Sequence, residues 1–112
     1  MDLLHSHERF HLAFRGLAVS SAPLTKRIAD VFAAYLADLE PSDLPPEVGA
    51  RFKAYREAWR AQDVAPHLRP LGLIALWARS LSWRKAREVA HWIVDAHDEI
   101  DGLLNEELYR SR

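Results

Sequence analysis

Apolar residues recur at three- and four-residue intervals along nearly the whole chain, and the main breaks in that rhythm fall at prolines. This spacing builds one apolar stripe per helix and leaves no segment with the strict alternation of a half-buried strand. Only 4 Gly and 6 Pro interrupt 112 residues. The expected fold is therefore all-α, a compact bundle of four to five helices with mostly antiparallel neighbours. A chain of this length suits one modest core, so residues 1–112 read as a single helical domain.

The spacing predicts a first helix over about residues 3–19, with Leu3, Phe10, Phe14 and Leu17 on one face and His7 and Ala18 on its flank. Ser20 to Pro23 breaks the chain, with Ser21 as N-cap of the next helix. A second helix from Pro23 to Leu39 carries Leu24, Ile28, Val31, Phe32, Tyr35 and Leu39 opposite Lys26 and Asp30. Pro41, Pro45 and Pro46 mark a loop, and a third helix follows to Ala61 with Val48, Phe52, Tyr55 and Trp59 in register. After a linker over 63–70, the segment from Leu71 to Leu81 is apolar nearly all round, as in a central or partner-covered helix. A fifth helix begins near Ser82 or Trp83 and reaches Leu104 or beyond, with Ala86, Val89, Ala90, Ile93, His97, Ile100 and Leu104 inward. Gly102, at about 1 kcal/mol relative to Ala, is where it is expected to end or kink.

Lys and Arg number 15 against 16 Asp and Glu, a formal net charge of −1, which argues against a globally basic nucleic-acid binder. With no cysteine, disulfides, thiol catalysis and thiolate metal sites are excluded. No run approaches 18 apolar residues, and the first residues lack a signal-peptide pattern. The expectation is a soluble, cytoplasmic protein with no membrane partner. No Gly-rich phosphate loop, Gly-x-Ser-x-Gly or Walker-type lysine is present, and Ser20, Ser21, Ser80 and Ser82 are explained as turn or cap residues. No catalytic residue and no cofactor are expected.

The six histidines raise a metal hypothesis. Glu8–His11 and Glu88–His91 have the Glu-x-x-His spacing of carboxylate-bridged bundles. At roughly 100° per residue, however, both pairs point away from the apolar stripes, as solvated surface pairs do. His5, His7 and His11 are helical neighbours able to form a surface site, for which a solvated helix is the plainer account. His97, within the inner stripe, reads as a core histidine with one hydrogen bond satisfied, or in a sharper reading as pH-sensitive.

Residues 71–93 carry the most information about partners. Leu76 to Val89 reads as helix, short turn, helix, an imperfect helix-turn-helix with Ser80 where such turns usually carry glycine. Arg84, Lys85 and Arg87 stand near the start of the fifth helix, while Asp95, Asp98, Glu99, Asp101, Glu106 and Glu107 stand toward its end. That order opposes the helix dipole. It is resolved if the fourth and fifth helices are nearly continuous, or if the basic cluster meets an acidic partner, such as the acidic end of a second copy arranged antiparallel. Four tryptophans and apolar residues off the main stripes, such as Leu12, Val19, Trp92 and Leu103, exceed what a small core readily covers.

The residues expected to bind are Trp77, Trp83, Arg84, Lys85, Arg87, His91 and Trp92. The expected function is a non-enzymatic protein–protein interaction or regulatory module of adapter, antitoxin-like or defence-associated kind. It would pair with itself as a homodimer, and a second protein is a further candidate. A helix-turn-helix DNA-binding protein using residues 71–93 is the alternative, and a His/carboxylate metal-binding bundle the second alternative.

Leu17-Ala18-Val19-Ser20-Ser21-Ala22-Pro23-Leu24-Thr25-Lys26-Arg27-Ile28, then Asp43-Leu44-Pro45-Pro46-Glu47, and a Ser-led amphipathic helix over Ser82 to Ile100, resemble a pattern in small all-helical proteins of proteobacteria. The resemblance implies an all-helical fold and a bacterial source, and it transfers no functional residue.

Overall fold

The computed structural model describes residues 1–67 and 72–110. The helices are α1 (Leu3–Val19), α2 (Leu24–Val31), α3 (Pro46–Arg60), α4 (Leu73–Ser80) and α5 (Trp83–Arg110), with no strand among the described residues. The expected start of the fourth segment at Leu71 lies outside the described residues. No described helix is long and apolar enough to cross a membrane.

The ends of these helices follow from local chemistry. Asp2 caps α1 by accepting the His5 amide at 3.1 Å, and Ser82 caps α5 by accepting the Lys85 amide at 3.1 Å. Leu81, between α4 and α5, is extended, so the two helices are separate rather than continuous. Pro46 opens α3, where a missing amide costs nothing. The second helix stops short of Leu39. Past Val31 it continues as a single π-helical turn over Phe32–Leu36, with the Ala37 amide donating to the Phe32 carbonyl at 2.8 Å. Gly102 neither ends nor interrupts α5, which runs on to Arg110.

The first helix runs antiparallel to α2 and to α5. Arg27 Nη1 donates to the Leu17 carbonyl at 2.9 Å and Arg9 Nη2 to Asp38 at 2.8 Å, tying the last turn of α1 to the start of the second helix and the middle of α1 to the residues just past its end. Arg56 reaches Glu40 at 3.0 Å, while Phe32 meets Trp59 edge-on at 5.6 Å between ring centres. On α1 the buried line is Leu3, Ser6, Phe10, Ala13 and Leu17. The expected stripe is thus rotated slightly: Phe14 is only half-buried and Ala18 is exposed. Ser6 is tolerated inside because its hydroxyl donates to the Asp43 carbonyl at 2.8 Å, and the Asp2 amide shares that acceptor at 3.0 Å. The core gathers around Phe10, Ile28, Phe32, Leu36, Phe52, Ile93 and Ile100, all fully buried.

Gly102 faces solvent, and a Cβ there would meet nothing within 4 Å. Gly102→Ala removes a flexible residue from a helix interior without a clash. It is expected to raise stability by about 0.5–1 kcal/mol in urea unfolding at micromolar protein. A loss of stability would mean that the backbone there needs glycine.

Candidate functional site

The feature that gathers the expected binding residues is an open groove between α3 and the first half of α5, with a volume of about 600 Å³. Helical spacing builds both walls. Arg51 and Tyr55 stand one turn apart on α3. On α5, residues 84, 88, 91 and 95 follow the three- and four-residue steps of one outward face, opposite the buried line Ala86, Val89, Ile93. Trp83, 69% exposed, stands at the mouth with the Arg87 guanidinium 5.9 Å from its ring centre. At an exposed site such a cation–π contact contributes about 0.5–1 kcal/mol.

The inner end of the groove is aromatic. Tyr55 meets Trp92 edge-on at 5.1 Å, and Trp92 meets Phe10 edge-on at 5.5 Å. Burial pushes the Tyr55 phenol above its ordinary value, with the nearby Arg51 pulling the other way. The phenol therefore stays a neutral hydrogen-bonding group there. Charge is mixed. Arg51, Arg84 and Arg87 line the groove with Glu88 and Asp95. Glu88 lies 3.7 Å from Arg84 Nε and 3.5 Å from Lys85 Nζ, partly neutralising both.

Of the seven residues expected from sequence, Trp83, Arg84, Arg87, His91 and Trp92 line this groove. Lys85 is exposed beside it, turned to Glu88. Trp77 requires correction. It is 5% exposed and packs among Phe32, Trp59 and Tyr55 at 5.3–5.7 Å between ring centres, so it is core and not an outward anchor. The nearly all-apolar α4 is explained by this position against α2 and α3. Arg51 was missed in the sequence, and Tyr55 was read only as core. Their membership depends on α3 lying beside α5, for which no sequence signal exists.

Glu8, His11, Glu88 and His91 are all exposed, and His11 Nδ1 lies 3.4 Å from His97 Nε2. His97 sits at the rim of the core with its side chain 14% exposed. As arranged, no group of three or more metal-ligating side chains among the described residues is poised to hold an ion. Comparisons with family models, curated proteins and solved structures find no match to this chain.

Proposed function

We propose that this chain is a non-enzymatic interaction module that pairs with a second copy of itself, the α3–α5 groove of each taking the acidic end of α5 from the other. The observation that carries this reading is the pattern along one face of α5. Eighteen residues make five helical turns. Gly102, Glu106 and Tyr109 therefore lie on the same face as Arg84, Glu88 and His91. One face thus presents an aromatic groove of mixed charge at its start, and Glu106 with Tyr109, which is 80% exposed, at its end.

A two-fold antiparallel pairing of that face brings unlike ends together twice. Tyr109 supplies the kind of rigid aromatic anchor that fills interface pockets, and Glu106 supplies charge opposite Arg84 and Arg87. Asp95 and Asp98 of the two copies approach the axis, and that repulsion holds the affinity to a modest level.

Light scattering at several hundred micromolar should give a mass approaching twice 12.8 kDa. Arg87→Glu should return it to the single-chain mass, and adding Glu106→Arg should restore pairing. A single-chain mass at every concentration sinks the proposal. Retention of a DNA duplex that weakens steeply with salt, and is lost in Arg84→Ala/Arg87→Ala, would favour the helix-turn-helix reading instead.

A further inference from the structure

A second cluster lies away from the groove, where α1 crosses α5. His7 and His11 stand one turn apart on α1, and His97 and Asp101 stand one turn apart on α5. The antiparallel packing sets the two pairs against each other in matching order. His7 Nε2 lies 2.8 Å from Asp101 Oδ1, and His11 Nδ1 lies 3.4 Å from His97 Nε2. The three imidazole centres form a triangle with sides of 6.0, 5.8 and 5.6 Å.

We propose that this cluster is a binding site for one divalent transition-metal ion, with His7, His11, His97 and Asp101 as ligands. The nitrogen-rich set suits zinc, nickel, copper or cobalt, and its single carboxylate completes four donors. Two imidazole nitrogens on a tetrahedral zinc, with bonds near 2.0–2.1 Å, stand roughly 3.3 Å apart. The His11–His97 pair already has nearly that spacing.

The surroundings of His97 support the assignment independently. Its Nδ1 lies 3.2 Å from Asp98 Oδ1, an arrangement in which Nδ1–H donates to the carboxylate. That leaves Nε2 unprotonated, as the acceptor that faces His11. A carboxylate behind a histidine fixes tautomer and ring orientation in this way at metal centres. Phe14 stacks on the same ring at 5.0 Å, limiting its rotation.

In the ligand-free arrangement the donors pair with one another, and no three of them among the described residues enclose a common point. An ion enters by exchanging the His11–His97 and His7–Asp101 hydrogen bonds for coordinate bonds. The side chains turn on two helices already packed together, and the helices themselves stay in place. His7 and Asp101 are 26% and 47% exposed at their side chains, so the position opens to solvent on one side. The four ligands take no part in the self-pairing proposed above; only Asp98, which backs His97 here, also approaches the proposed two-fold axis.

The test uses the full chain without an affinity tag, stripped with chelator and titrated with zinc chloride in a calorimeter. One equivalent should bind with micromolar or tighter affinity. Cobalt(II) in the same position should show the intense visible absorption of a four-coordinate ion. His11→Gln and His97→Gln should each weaken zinc binding at least about tenfold, Asp98→Asn should weaken it less, and His5→Gln should leave it unchanged. His11 is exposed, so its variant decides the matter if His97→Gln perturbs folding, as followed by circular dichroism. Absence of binding overturns the proposal. So does binding that survives His11→Gln and His97→Gln, or that is lost in His5→Gln alone.

Discussion

Phe32→Ala should lower the free energy of unfolding by about 3–5 kcal/mol. Phe32 is fully buried at the π-helical turn, where the second helix meets three other elements. Its ring has four aromatic neighbours: Trp77 at 5.3 Å, Trp59 at 5.6 Å, Tyr55 and Trp92 both at 6.2 Å. Those neighbours belong to α3, α4 and α5, so the space left by the ring cannot be closed by moving one helix. A cavity that persists adds its own cost to the lost transfer free energy. A chain of this size has a total stability on the order of 5–15 kcal/mol. The variant should therefore be barely folded at room temperature, as followed by tryptophan fluorescence in guanidinium. A loss below about 1 kcal/mol would mean that the four rings do not form a shared core.

Gly49→Ala should also destabilise, although it replaces glycine inside a helix, where alanine normally gains about 1 kcal/mol. The reason is local. A Cβ at Gly49 would stand 2.5 Å from the Pro41 carbonyl oxygen and 3.3 Å from its carbon. Both are backbone atoms of the turn that Ser6 and Asp2 hold against α1 through the Asp43 carbonyl. A flexible side chain could swing aside, but this tethered turn cannot. A net loss of about 1–3 kcal/mol in urea unfolding is expected, in the range of overpacked cores. With Gly102→Ala expected to stabilise, the two glycines of α3 and α5 should respond with opposite sign. Equal responses would show that helix propensity governs both and that the Pro41 contact does not.

Helix positions were legible because each helix carries its own signals. α1 occupies the residues that the apolar spacing predicts, and α3 starts at the proline that marks it. The short end of α2 was not legible. The π-helical turn begins at Phe32, where the second helix packs on Trp59 of α3 and Trp77 of α4, contacts that the local spacing does not encode. Gly102 misled for a similar reason: its propensity cost is small beside the burial of Ile93, Ala96 and Ile100 along the same helix.

The candidate sites divide in the same way. Trp83, Arg84, Arg87 and His91 share a face of one helix, so periodicity alone groups them. Arg51 and Tyr55 joined them only when α3 came to lie beside α5. Trp77 looked equally eligible, since an apolar helix gives no sign of which side will be covered; three aromatic neighbours from other elements cover it. His97 lies 86 residues from His11 and further still from His7 across α1 and α5, beyond the reach of any local pattern.

Periodicity, proline placement and capping residues thus determined a chain of four to five helices and the outward face of the last one, because those forces act within about four residues along the backbone. Which faces meet, which tryptophan is buried, and which histidines approach one another were decided by helix packing. That packing is set by the shape and burial of side chains distant in sequence, and the chain carries no local record of it.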